Sequence, residues 1–324
     1  MRFTIITATK NNKAGLLRAI ECVRNQTYEN VEHIIVDGGS TDGSVELLRK
    51  VQSSGNQKLV NSKEANETTL PTSYYSLHTI IEPDNGIYDA INKGIKLATG
   101  DVIGLLHSDD LYSDENVIAK YAEVFKGPFD FAQGDGMVVD AVYSDLVYIK
   151  TVNSKQKSVD SEKILRQAQD DNKGSSLITT YYPLLTNYST VRYWKTQQKE
   201  FITEQHRHKE LKKGWMPPHP TLFIRKEVFE KYGLYRTDMK IAADYEMILR
   251  LLYKHKITSY YLPFTTYYME MGGASNKSMK NILQKSKEDL RALKVNGINF
   301  PILTLISKNF RKLHQFLARD LSGV

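Results

Sequence analysis

A single cysteine, Cys22, stands among 324 residues, so no disulfide can form within the chain. It shares a helical apolar pattern with Leu16, Leu17, Ile20 and Val23, which marks it as a buried structural thiol and suits a reducing compartment. No stretch reaches the roughly 18 uncharged apolar residues that a membrane-spanning helix needs. The opening MRFTIITATKNN has neither an apolar core nor a small-residue cleavage site, so no secretory leader is read there. The expected setting is the cytoplasm, with a membrane touched at most peripherally from its inner face. Basic residues are not interleaved with aromatics as in single-strand or RNA-binding modules, so no nucleic-acid partner is expected.

Positive charge is in excess. With 44 Lys and Arg against 37 acids the formal charge is +7, which favours anionic partners such as phospholipid surfaces or phosphorylated small molecules. Much of it falls late and locally, at Lys195, Lys199, Arg207, Lys209, Lys212 and Lys213, and again at Lys308, Arg311 and Lys312. That distribution reads as a surface patch.

The first 110 residues alternate. RFTIIT (Arg2–Thr7), VEHIIVD (Val31–Asp37), HTIIEP (His78–Pro83) and DVIGLLH (Asp101–His107) have strand composition. Between them lie helical patterns around Leu16–Val23, over SVELLRKV with Ser40 or Thr41 as cap, and over Tyr88–Ala98. Strands alternating with helices predict an α/β protein whose Rossmann-like, mostly parallel sheet carries helices on both faces. Ser53–Leu77 lacks periodicity and reads as an insertion, as do the Gln/Asp-rich pieces between about 127 and 176 that flank a strand-like AVYSDLVYIKTV. Later, PTLFIRKEVFEKYGLY predicts a strand and a short helix, and IAADYEMILRLLYKH an amphipathic helix with Asp244 and Glu246 at its start. Ile302, Ile306, Phe310, Leu313 and Leu317 form one helical stripe. The expected division is a main domain over 1–270 and a helical extension over 271–324.

Carboxylates fall where such a sheet binds ligands. Asp37 closes the second strand, Asp84 follows the third, and Asp109 and Asp110 follow the fourth, all at carboxyl ends. Any one of them alone is an ordinary turn residue; together they converge. Clustered carboxylates bind phosphate well only through a hard cation, and Mg2+ or Mn2+ suits one or two carboxylates plus diphosphate and water. His107 is a further candidate ligand, with packing or hydrogen bonding as its alternative role. Asp37, beside Gly38 and Gly39, is a fixed acceptor for a base or ribose. Asp244 after Ala242 and Ala243 could take a proton from an acceptor hydroxyl, with helix capping as the competing role.

The motifs TIITATKNN, AIECVRNQTYENVEHIIVDGGSTDGS, EPDNGIYDAINKGIKLATGDVIGLLHSDDLY, PPHPTLFIRKEVFEKYGLY, AADYEMILRL and YYMEMGGAS, in this order, resemble the inverting family 2 glycosyltransferases of GT-A fold. EPDNGIYDAINKGI and MGGAS are most similar to a branch associated with bacterial surface polysaccharide assembly. The resemblance implies transfer of a sugar from a nucleotide-diphosphate sugar to a saccharide or lipid-linked acceptor by a single displacement. It implies Thr9 and Asp37 around the nucleoside, Asp84 near the same pocket, Asp109 as the metal aspartate, with His107 and Asp110 as further candidates, and Asp244 as base. Three positions depart from the common pattern: His107 stands where Asp or Asn is frequent, Lys10 where tyrosine is, Ile91 where arginine is. They bear on donor identity, not on reaction class.

Three features stay open at this level. MGGAS (Met271–Ser275) is either a phosphate or acceptor-gating turn or a plain glycine turn. His219 in PPHPT either lines the acceptor side or is structural. The C-terminal stripe either lies on a membrane surface or is packed on the domain. The alternative activities are a sugar-phosphate nucleotidyltransferase, which would carry a Gly-rich basic loop after the first strand that TATKNN lacks, and a non-enzymatic anion or nucleic-acid binder.

Overall fold

The computed structural model describes residues 1–53, 75–127, 138–151, 188–194, 204–270 and 279–317. The N-terminal half alternates as the sequence predicts: β1 (Phe3–Thr9), α1 (Lys13–Arg24), β2 (Val31–Asp37), α2 (Ser44–Ser53), β3 (Ser76–Ile81), α3 (Ile87–Leu97) and β4 (Val102–Leu105). Then follow β5 (Asp110–Tyr112), α4 (Val117–Lys126), β6 (Ala141–Thr151), β7 (Tyr188–Trp194), α5 (Glu204–Lys212), β8 (Phe223–Arg225), α6 (Lys226–Tyr232), α7 (Ala243–Ile248), β9 (Ser259–Glu270), α8 (Met279–Val295) and α9 (Pro301–Leu317).

One sheet joins nine strands in the order β3-β2-β1-β4-β8-β6-β9-β5, with β7 paired to β6. The parallel arrangement holds for β3-β2-β1-β4. Beyond β4 the sheet is mixed: β8 runs antiparallel to β4 and β6, while β6 and β9 are parallel. Between 127 and 176 the strand-like run is β6, Ala141–Thr151, and it lies inside the sheet and not in an insertion outside it. Its Gln/Asp-rich flanks and most of 53–77 lie outside the described residues, as does MGGAS.

Every residue of β1 and β2 is buried, as strands covered on both faces require. Successive side chains serve two cores. Phe3 and Ile5 join Cys22, Val23, Val102 and Tyr121 on the α1/α4 side, whereas Ile6, Ala8 and Ile34 join Ile91, Ile95 and Tyr245 on the α3/α7 side. Each such buried Ile or Phe is worth about 1.5–3 kcal/mol. Gly94 lets α3 lie close on the sheet, since a Cβ there would stand 2.6 Å from Ile6 Cγ2. Cys22 is buried and reduced, and burial pushes its thiol up to about 12.

Two local boundaries differ from the sequence reading. Helix α2 starts at Ser44, where Asp42 Oδ1 accepts from the Ser44 N–H and hydroxyl; Ser40 and Thr41 instead tie to Asn11 in the β1–α1 loop. The amphipathic run after Ala242 is only briefly α-helical. Six residues of α7 pass into a π-helical turn over Leu249–Lys254, and there Arg250 donates to the carbonyls of Tyr232, Gly233 and Leu234 that end α6. Among the described residues no helix is long and apolar enough to cross a membrane.

Candidate active site

Parallel registration decides which loops meet. Thr9 is paired with Asp37 across β1 and β2, and the Gly38 N–H donates to Thr9 O at 3.0 Å. Asp37 is wholly buried. Its Oδ1 accepts from the N–H groups of Gly39 (3.0 Å) and Ser40 (2.7 Å), while Oδ2 has no hydrogen-bond partner. Thr9 Oγ1 is likewise buried without a hydrogen bond. A carboxylate oxygen and a hydroxyl left uncompensated at the same strand ends cost stability unless something else uses them. Asp37 therefore both clamps the Gly38–Gly39 turn and keeps one oxygen in reserve at its floor.

Asp84 reaches the same turn from β3. A Cβ on Gly38 would sit 2.1 Å from Asp84 Oδ2, so the glycine makes room for that carboxylate, whose Oδ1 accepts from the Gly86 N–H at 3.1 Å. Gly38→Ala is expected to push Asp84 aside. Donor KM should rise several-fold with an unchanged melting temperature, and an unchanged KM would show that Asp84 has no part in donor binding.

Beyond β4, Asp109 is exposed and Asp110 is buried. Asn12 links Asp109 to the β1–α1 loop: its Oδ1 caps α1 on the Gly15 N–H, and its Nδ2 donates to Asp109 Oδ1 and to Ser108 Oγ. Burial, with Asp109 adding repulsion, pushes the Asp110 carboxyl up to about 8, and neither of its oxygens has a hydrogen-bond partner. The adjacent pair thus splits into one accessible carboxylate and one interior acid held protonated at neutral pH. His107 is half-buried with Nδ1 unpartnered, and burial together with His219 brings it down to about 4, so its ring is neutral.

The raised Asp110 value has a stability consequence. An unfolded chain ionises this carboxyl above its ordinary value of 3.8, while the fold holds the proton until about 8, so wild-type stability drains away between those limits as pH rises. Asp110→Asn in EDTA is expected to leave the melting temperature nearly unchanged at pH 4. It should raise it by a growing margin toward pH 8, measured by scanning fluorimetry.

Asp244 comes from the far end of the chain. Tyr88, in the first turn of α3, has its hydroxyl 2.9 Å from Ile241 O, to which it donates, and 3.3 Å from Asp244 Oδ1. Because α3 starts just past Asp84, this tyrosine joins the turn carrying Asp84 to the segment carrying Asp244. Glu288 on α8 fixes that segment from the other side, accepting from the N–H groups of Lys240, Ile241 and Ala242 at 2.8–3.0 Å. Burial works against charge on Asp244. The His219 imidazole, Lys285, Lys308 and the Tyr245 N–H outweigh it and hold the carboxyl below its ordinary value. His219 is itself kept below the usual histidine range by burial, so near neutral pH the two lysines carry the effect. Its Nε2 is 2.9 Å from Tyr235 OH, and Tyr235 is locked by a two-way pairing of its backbone with the Asn92 amide.

The strand ends therefore bring Thr9, Asp37 and Asp84 to one turn, and Asp109 to the neighbouring helix cap. Asp244 is joined to them through Tyr88, and His107 and His219 lie between. Asn12, Tyr88 and Glu288 were not singled out from the sequence. Asn12 carried a signal as a helix-capping residue just after a strand; Tyr88 and Glu288 act across 156 and about 46 residues of chain, where no local pattern exists.

Among the described residues no three His, Cys, Asp or Glu side chains are gathered to hold a metal ion by themselves. The donors present fit a different arrangement. One accessible carboxylate, oriented by Asn12, beside a neutral histidine and a protonated acid, suits a hard cation that takes its remaining ligands from a diphosphate and water.

Residues 4–154 match the model of Glycosyl transferase family 2. An uncharacterized glycosyltransferase of Mycobacterium tuberculosis is 35% identical over 137 residues, 41% of this chain and 44% of that protein. A PGL/p-HBAD biosynthesis glycosyltransferase of Mycobacterium bovis is 27% identical over 149 residues, 46% and 48% of the two chains. The chain thus spans about half the length of the curated relatives it matches. Among solved structures, S. aureus TarS 1-349 in complex with UDP-GlcNAc superimposes with a TM-score of 0.53 at 14% identity, over 100% of this chain and 73% of the other. Mannosyltransferase PcManGT from Pyrobaculum calidifontis, in complex with GDP-Man and Mn2+, gives 0.51 at 16% identity, over 99% and 76%. At such identities the likeness is one of fold.

Proposed function

We propose that the protein, whose residues 4–154 match Glycosyl transferase family 2 and whose fold is of GT-A type, moves a sugar from a nucleotide-diphosphate sugar to a hydroxyl acceptor with inversion at the anomeric carbon. The observation that carries the reading is the convergence of Thr9, Asp37, Asp84 and Asp109 at the carboxyl ends of parallel strands, with Asp244 tied to them through Tyr88. Thr9 Oγ1, Asp37 Oδ2 and Asp84 serve the nucleoside side of the donor. Asp109, with His107 and Asp110 as neighbours, would hold a divalent cation, Mn2+ or Mg2+, whose contribution is to neutralise charge on the departing diphosphate. Asp244, anionic at neutral pH, takes the acceptor hydroxyl proton as that oxygen attacks the anomeric carbon. The bond to the diphosphate oxygen breaks on the opposite side, and a nucleoside diphosphate leaves.

The acceptor in this reading is a saccharide or lipid-linked hydroxyl in a bacterial surface glycan, and the enzyme works from the cytoplasmic side. The mycobacterial relative named for PGL/p-HBAD biosynthesis supports the product class, and the neighbours holding UDP-GlcNAc and GDP-Man support the donor class. The test is a set of UDP-, GDP- and dTDP-sugars offered with Mn2+, Mg2+ or EDTA, reading nucleoside diphosphate release. Metal-dependent release from one of them is expected. Pyrophosphate release from a nucleoside triphosphate and a sugar phosphate would identify a nucleotidyltransferase instead.

A further inference from the structure

Helices α8 and α9 form a hairpin whose two sides differ sharply. The inner side is tied to the enzyme body by both apolar and polar groups: Ala292, Leu293 and Ile298 belong to the core and Leu305 packs against it. Lys308 is buried with its Nζ 2.9 Å from Asp289 and 3.1 Å from the centre of the Tyr245 ring, next to Asp244 in sequence. Thr304 Oγ1 donates to Lys212 O at 2.8 Å, and Arg311 pairs with Glu210 at 2.7 Å. With Leu305, Thr304, Lys308 and Arg311 used against the domain, the other large apolar residues of α9 as far as Phe310 face outward. Ile302, Leu303, Ile306 and Phe310 are exposed along α9, Phe310 by 67%. At the hairpin tip Phe300 is 74% exposed and its φ of 58° lies in the left-handed region that a phenylalanine rarely adopts. Ile282, Leu283 and Val295 on α8 complete the group, which makes eight of the fourteen exposed large apolar side chains among the described residues. Such clustering is not the scatter of single apolar residues found on ordinary surfaces.

The charge of the same hairpin is one-sided. Residues 279–317 carry eight Lys and Arg and two acids, a net +6 out of +7 for the whole chain. Both acids, Glu288 and Asp289, are buried and committed to interior partners. The charge that the hairpin shows to solvent is therefore basic: Lys280, Lys287 and Lys294 are exposed along α8, while Arg291 pairs with Asp238. An outward apolar stripe flanked by basic residues matches an anionic lipid surface, in which apolar side chains enter the interface and Lys and Arg meet headgroups. A second copy of this chain fits worse, because two such faces would bring like charges together.

We propose that the α8–α9 hairpin is a membrane-docking surface for an anionic bilayer, inserting Phe300, Ile302, Leu303, Ile306 and Phe310 while Lys280, Lys287 and Lys294 contact headgroups. Docking here holds the enzyme by the helix that backs onto Tyr245, so the Asp244 end of the site is kept near the lipid surface. This does not depend on which sugar is transferred.

The test is co-sedimentation of the full chain with vesicles of phosphatidylcholine alone or of equal parts phosphatidylcholine and phosphatidylglycerol. Binding to the anionic vesicles is expected, with a partition coefficient lower by about tenfold or more on neutral vesicles. Ile306→Glu/Phe310→Glu should lose binding on both, and Lys280→Gln/Lys287→Gln/Lys294→Gln should lose the preference for anionic lipid. Melting temperature and nucleotide-induced thermal shift should match the wild type for both variants, which separates failure of docking from failure of the donor site. The proposal is overturned if the wild type binds neither vesicle or if the variants bind as it does. It is equally overturned if the wild type sediments in solution as a dimer that Ile306→Glu/Phe310→Glu dissociates.

Discussion

Asp244→Asn is expected to lower kcat by about 10²- to 10⁴-fold, the usual contribution of a positioned general base, while leaving the affinity for the nucleotide sugar unchanged. The asparagine keeps size and keeps an oxygen to accept from the Tyr245 N–H and to face the Tyr88 hydroxyl, so the backbone that Glu288 grips need not move. What is lost is the carboxylate able to take a proton. The wild-type carboxyl lies below its ordinary value because His219, Lys285, Lys308 and the Tyr245 N–H outweigh burial. Activity limited by this group should therefore be flat from neutral pH downward and fall only below the ordinary aspartate range near 3.8. The stability it contributes follows the same sign, present above that value and lost as pH falls through the lower folded one. Single-turnover kinetics and donor titration on the variant check both halves; an unchanged rate would remove Asp244 from the chemistry.

Asp109→Ala is expected to abolish the metal-dependent part of nucleotide-sugar binding, a loss of about 10²-fold or more in affinity when Mn2+ is present. In EDTA the variant and the wild type should bind alike. The fold should persist, because Asp109 is exposed and its side chain meets Asn12, whose Oδ1 continues to cap α1 on Gly15. Titration calorimetry with and without metal reads this directly. If the variant keeps the full Mn2+ dependence, the cation is held elsewhere and Asp109 serves only to orient the loop. The contrast with Asp110 is physical: Asp109 is exposed, whereas Asp110 is buried, and burial with the Asp109 charge raises its carboxyl.

The sequence made much of this legible where structure is local. Strands β1 and β2 are rich in β-branched residues and wholly buried although they carry Thr4, Thr7, Glu32 and His33, and α1 and α3 keep a helical period because one face meets the sheet. From strand order alone, the carboxylates at strand ends pointed to one edge, and the pairing of Thr9 with Asp37 puts two of the named residues side by side. The mixed half of the sheet was less legible, since β6, β8 and β9 pair across long separations and β8 has only three residues to mark it. Distant partners left no mark at all. Glu288 and Tyr88 read as ordinary helix residues, and Lys308 as part of a basic surface patch, until the chain folds them around Asp244 and Tyr245 and buries Lys308. The C-terminal stripe was read as either membrane-facing or packed, and the helix does pack, but through Thr304, Lys308 and Arg311. Amphipathic pattern alone cannot tell which side faces the protein when the polar side makes buried ion pairs.

Once the donor is identified, the anomeric proton coupling of freshly formed product is the most direct measurement of the central account. A single displacement with Asp244 as base predicts inverted configuration, a β-linked product from an α-linked nucleotide sugar, in the first turnovers. A product that retains the donor configuration would contradict it.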